Sequence, residues 1–88
     1  MSTQHKIFII PDRLLLDKTV PAGAKLLYGE LYRRFDKQGE TVETDEIADF
    51  FEVTPKTIHR WFSRLAASGY IRYIVNNESA TSRKVCFF

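Results

Sequence analysis

Hydrophobic positions recur along this chain with two different periods, and the changes of period divide it into elements. Ile7–Ile10 is a short apolar, β-branched run closed by Pro11-Asp12 and reads as a strand or extended arm. Asp12–Leu16 has room for one helical turn, with Pro11 suited to its start. After Pro21 the spacing becomes helical. Leu27, Leu31 and Phe35 recur four apart, with Ala24 and Tyr28 beside them, which predicts a helix over 22–35. Lys25, Glu30, Arg33 and Arg34 fall mostly outside that stripe. The turn Asp36–Glu40 contains Gly39 and ends the helix.

Thr41-Val42-Glu43 is short and β-prone. A second helix is expected over 44–51, capped by Thr44 or Glu43, with Asp45 and Glu46 favourable at the positive end of its dipole. Thr54-Pro55 is a strong start signal, a capping hydroxyl followed by proline at the first helical position. The third helix then runs to about Ser68 and stops at Gly69. Ile58, Phe62 and Leu65 form its inner stripe, with Trp61 on the flank. Tyr70–Val75 and Arg83–Phe88 read as two strands of a hairpin, joined by the polar loop Asn76–Ser82.

Composition narrows the function classes. Eighty-eight residues make room for one domain, taken as 1–88, which is also compatible with a domain of a longer protein. The apolar and aromatic content argues against disorder. No run approaches membrane-spanning length. Cys86 is the single cysteine, so no internal disulfide forms, which fits a reducing cytoplasm. Two histidines and one cysteine are too few for a structural zinc site. No phosphate-binding glycine loop, metal-ligand spacing or nucleophile–base pair appears, so neither an enzyme nor a cofactor is expected. His59 has no adjacent acid, and a catalytic role for it is set aside.

Charge is segregated. Residues 1–35 carry +3, residues 36–52 carry −6, and residues 53–88 carry six basic residues against Glu78, for +5. Such asymmetry fits a basic face with a polyanionic partner, or simply separate solvated faces.

Only Glu52-Val53-Thr54 separates the second and third helices. That is helix-turn-helix spacing, and it makes the third helix the candidate reader of a DNA major groove. Lys56, Thr57 and Arg60 stand at its start, where base edges are read. The candidate DNA-contacting set is Thr54, Lys56, Thr57, His59, Arg60, Ser63 and Arg64 on the helix and Arg72, Arg83 and Lys84 on the hairpin. Arg60 and Arg64 have an alternative, pairing with Glu46, Asp49 or Glu52. Trp61, Tyr70 and Tyr73 are expected to pack.

The segment Thr44–Ile71 resembles the winged helix-turn-helix of many bacterial DNA-binding proteins. The matching marks are Glu46-Ile47-Ala48, Val53-Thr54, Thr57-Ile58, Leu65 and Gly69-Tyr70-Ile71. Upstream, "FIIPDRLLLD" (8–17) and "AKLLYGELYRRF" (24–35) are similar to the N-terminal winged-helix domain of plasmid and phage replication initiators and replisome organisers. The resemblance covers about Phe8 to Tyr73. It implies an α+β fold of three main helices and a hairpin wing, sequence-specific binding of double-stranded DNA, and a role in replication initiation. It also admits a homodimer or multimer on repeated sites. The alternatives are a transcriptional regulator and a protein-interaction or dimerisation module, the latter using segment 36–52 and Phe87-Phe88. Two positions depart from the pattern. Glu52 stands where glycine is usual at the turn, and Glu43 stands where a capping hydroxyl is usual.

Overall fold

The computed structural model describes residues 10–34, 40–76 and 79–88. Along the chain lie α1 (Asp12–Leu15), α2 (Ala22–Arg34), β1 (Glu40–Glu43), α3 (Thr44–Phe51), α4 (Pro55–Ala67), β2 (Ile71–Asn76) and β3 (Ser79–Phe87). The fold is α+β: three main helices against a three-stranded antiparallel sheet of order β1-β3-β2, the arrangement of a small winged helix.

The helical stripes meet as their spacing requires. Leu27 and Leu31 of α2, Ile47 of α3, and Ile58, Phe62 and Leu65 of α4 are fully buried in one cluster with Leu14, Ile71 and Val85. Each such burial contributes roughly 1.5–3 kcal/mol. Ile10 is half-buried against the same cluster. The rest of the expected arm at 7–10 lies outside the described residues, as do Phe35 and the turn after it up to Gly39.

Trp61 closes the seam between helices. Its indole meets Phe51 edge-on at 5.9 Å and lies flat against Gly23 of α2. A Cβ on Gly23 would stand 2.1 Å from Trp61 Cζ2, so the close approach of α2 and α4 requires glycine there. Trp61 therefore packs, as its helical phase suggests.

The α1 turn clamps the start of the hairpin. The Tyr70 hydroxyl donates to Asp17 Oδ2 at 2.9 Å, with the Arg13 carbonyl at 3.3 Å, and the Arg13 guanidinium sits 4.7 Å over the Tyr70 ring. Hydrogen bonds from the Thr19 hydroxyl and amide, then from Tyr70, hold the Asp17 carboxyl below its usual range. Burial, then the Asp17 carboxylate, pushes the Tyr70 phenol up.

Three expectations are corrected. Glu30 is not outside the apolar stripe but fully buried, at 0 % exposure. It is accommodated because Arg33 donates to it at 2.6 and 3.1 Å and Arg34 donates as well. Burial alone would raise its carboxyl; the two guanidinium partners outweigh that and lower it. Glu43, one of the two expected caps, is the N-cap residue of α3 but makes no side-chain cap bond: its carboxylate accepts from the Ser82 hydroxyl, and Thr44 is fully buried. The hairpin loop is shorter than seven residues, because β3 begins at Ser79 and pairs it with Asn76. The register shifts between Val75 and Asn76 to absorb the extra β3 residues. The β-prone run at 41–43 is a strand as expected: β1 pairs along β3, making β3 the central strand.

Candidate nucleic-acid interface

α3 and α4 are joined by a turn with a defined hydrogen-bond pattern. Val53 N–H donates to the Ala48 carbonyl at 2.9 Å and Glu52 N–H to Asp49 at 3.1 Å. This is a Schellman ending, which places its C′ residue in the left-handed region. That residue is Glu52, at φ 58° and ψ 42°. The turn thus keeps the shape usually given to glycine and holds a glutamate in it, at a cost of about 1 kcal/mol. Thr54 follows in extended backbone, and its Oγ1 accepts from the Thr57 amide at 3.2 Å. Pro55 occupies the first helical position. The expected cap is the observed one.

The phase of α4 then sorts its side chains. Ile58, Phe62 and Leu65 point into the core, while Lys56, Arg60, Ser63, Arg64 and Ala67 are exposed on the opposite side. Lys56, Arg60 and Arg64 are spaced by four and form a cationic stripe about 12 Å long at 1.5 Å per residue. Arg60, Ser63, Arg64 and Ala67 line a shallow, open depression on this face. The helix contains no acidic residue.

The alternative pairing with α3 acids does not occur. Among the described residues Glu30 forms ion pairs with Arg33 and Arg34. Lys56, Arg60, Arg64, Arg72 and Lys84 have no carboxylate partner there. Asp45, Glu46, Asp49 and Glu52 are exposed along α3, beside the stripe but not bonded to it.

The remaining candidates divide. The Thr54 and Thr57 hydroxyls lie 3.1 Å apart and bond each other at the start of α4, Thr54 exposed and Thr57 half-buried. His59 is half-buried, with Nε2 3.4 Å from Thr44 Oγ1, so it faces the start of α3 and not the cationic stripe. Arg72 and Lys84 are exposed and share the outer face of the sheet, since Arg72 pairs with Cys86 and Ile74 with Lys84. Arg83 is the correction. It pairs with Val75 and Val42, on the same face as Val85, and is 8 % exposed, with Nη1 donating to the Ser82 carbonyl at 3.2 Å. The hairpin therefore offers two outward cations where three were expected.

Tyr73 packs as expected, and its contact with Ser63 was not anticipated. Tyr73 lays its ring 5.5 Å from Phe62 and brings its hydroxyl 3.3 Å from Ser63 Oγ, at the junction of β2 with the exposed side of α4. Strand alternation marks Tyr73 as facing the helices, but spacing cannot say which helical residue it reaches.

Comparisons with protein-family models, with curated proteins and with solved structures found no match to this chain. Among the described residues no three of His, Cys, Asp and Glu gather to hold a metal, and no helix is long and apolar enough to cross a membrane.

Proposed function

We propose that this chain binds double-stranded DNA, with α4 in the major groove and the hairpin on the flanking backbone. The observation that carries the reading is the stripe of Lys56, Arg60 and Arg64, exposed, without a carboxylate partner among the described residues, and backed by a fully buried apolar face. A groove about 12 Å wide admits one helix of this diameter. Lys56, Thr57 and Arg60 lie nearest the base edges; Arg64, Arg72 and Lys84 neutralise phosphates. Within this reading, the resemblance of segments 8–17 and 24–35 favours plasmid or phage replication initiation in the cytoplasm over transcriptional control.

The test is a titration of a mixed duplex pool at several salt concentrations, followed by selection of the tightest sequences. Affinity should fall linearly on log axes with salt, by about 0.9 for each phosphate neutralised. Arg60→Ala should relax sequence preference, and Lys84→Ala should weaken all duplexes alike. Selected direct repeats support an initiator that assembles as a multimer, and a single palindrome supports a dimeric regulator. Binding that ignores salt counts against the whole reading.

A protein-docking role is the second reading, favoured by the aromatic patch of Tyr32, Phe87 and Phe88. Tyr32 is 44 % and Phe88 74 % exposed, with Phe87 packed edge-on to Tyr32 at 5.3 Å. Sizing at several concentrations, with and without DNA, separates the two.

A further inference from the structure

We propose that the Ser63 and Tyr73 hydroxyls together form a phosphate-binding site for the DNA backbone, making Tyr73 a contact residue of the interface. The inference rests on the duplex-binding reading above and adds a site to it.

Four observations converge on this pair. The two oxygens are 3.3 Å apart and either can donate to the other. Among the described residues neither has another hydrogen-bond partner, so their mutual bond uses one of two hydroxyl protons and leaves the second free. The pair is held in place: the Tyr73 ring packs 5.5 Å from Phe62, which is fully buried, and its backbone is paired opposite Val85 in the sheet. The surroundings favour an anion. Arg60 and Arg64 flank Ser63 on α4, both exposed and without a carboxylate partner among the described residues. A backbone phosphate placed there lets both hydroxyls turn toward its oxygens and donate, while the arginines supply the charge. Serine and tyrosine hydroxyls commonly take this part in protein–DNA contacts, fixing register without reading sequence. The location also suits a strand leaving α4 for the hairpin, because the pair bridges the two elements.

The neutral character of the site separates it from the cations beside it. Removing a hydroxyl should lower affinity without changing counterion release. The experiment compares wild type, Tyr73→Phe, Ser63→Ala, the double variant and Arg64→Ala on a duplex selected from the mixed pool. That duplex is then remade with a neutral methylphosphonate at one backbone position at a time. Expected is a loss of about fivefold for Tyr73→Phe and for Ser63→Ala on every sequence. Their salt slope should match wild type, whereas Arg64→Ala should flatten it by about 0.9. The double variant should lose less than the product of the singles. At one methylphosphonate position, Tyr73→Phe and wild type should bind equally.

Two results overturn the site while leaving duplex binding intact. One is Tyr73→Phe binding as wild type. The other is a loss that persists at every methylphosphonate position and accompanies a lower melting temperature, which marks Tyr73 as a strut only. A wild-type chain that binds no duplex overturns the site together with the reading beneath it, and is recognised before any variant is made.

Discussion

α3 and α4 end in the same way and face solvent in opposite ways. Both stop in a Schellman turn. In α3, Val53 bonds back to Ala48 and Glu52 to Asp49; in α4, Tyr70 bonds back to Leu65 at 3.0 Å and Gly69 to Ala66 at 3.1 Å. Both bury an apolar stripe in one shared core. Yet the outward side of α3 carries Asp45, Glu46 and Asp49, and that of α4 carries Lys56, Arg60 and Arg64. The fold needs only the inner faces and the turns, so it is indifferent to the sign of the outer charge. The contrast teaches that the cations of α4 are not there for stability. An exposed, unpaired charge contributes little to folding, and three of one sign on a single stripe repel each other.

The largest effect should come from the inner face. Phe62 is fully buried and touches Tyr73 across the α4–β2 contact. Phe62→Ala should cost about 3–5 kcal/mol in urea unfolding, leaving the chain marginal or unfolded at ordinary temperature. The outer face should behave oppositely. Arg60→Glu should leave stability within about 0.5 kcal/mol and lower duplex affinity by roughly two orders of magnitude at low salt. Asp49→Lys on α3 should also leave stability nearly unchanged and should strengthen binding of all sequences modestly. Equal responses of affinity to the two charge reversals would erase the distinction between the helices.

A smaller loss should follow at the seam that aligns α4. Gly23→Ala drives a methyl into the Trp61 ring, so either α2 or the indole must shift, at roughly 1–3 kcal/mol. Its companion Trp61→Phe should recover part of that loss when combined with it, because the smaller ring leaves room. Additive losses in the double variant would show that the two positions are not in contact.

Periodicity and capping chemistry made the three helices readable to within a residue or so, and the fold class with them. They also identified Gly69 as a helix stop, while the resemblance marked Glu52 as standing at a turn usually given to glycine. What escaped depends on pairings between elements. Arg83 and Lys84 are neighbours at the start of an apparent strand, and alternation sends them to opposite faces. That alone signals that at most one reaches outward, but only the register of β3 against Val42 and Val75 says which. Glu30 sits three residues after Leu27, at the margin of the stripe, and its burial depends on both arginines folding back over it. The Ser63–Tyr73 contact spans 10 residues across a turn, and His59–Thr44 spans 15 across the helix-turn-helix. No local rule reaches that far.

The smallest effects test the comparison at its root, since the left-handed position is a glutamate at one helix end and a glycine at the other. Gly69 sits at φ 83° with nothing within 4 Å of the Cβ it lacks, so Gly69→Ala adds no clash and pays only for the left-handed backbone. Glu52 already pays that cost at φ 58°. Gly69→Ala should therefore destabilise by about 1 kcal/mol, and Glu52→Gly should stabilise by about the same, read as opposite shifts in denaturation midpoint with an unchanged slope. Glu52→Gly also removes an anion beside the start of α4 and takes one negative charge from the unfavourable end of the α3 dipole. Glu52→Gln separates these contributions, because it removes the charge and keeps the strained backbone. Most of the gain should appear in the glycine variant and little in the glutamine one. The reverse order would place the cost in charge, and would mean that a glutamate fits this turn as comfortably as the glycine that ends α4.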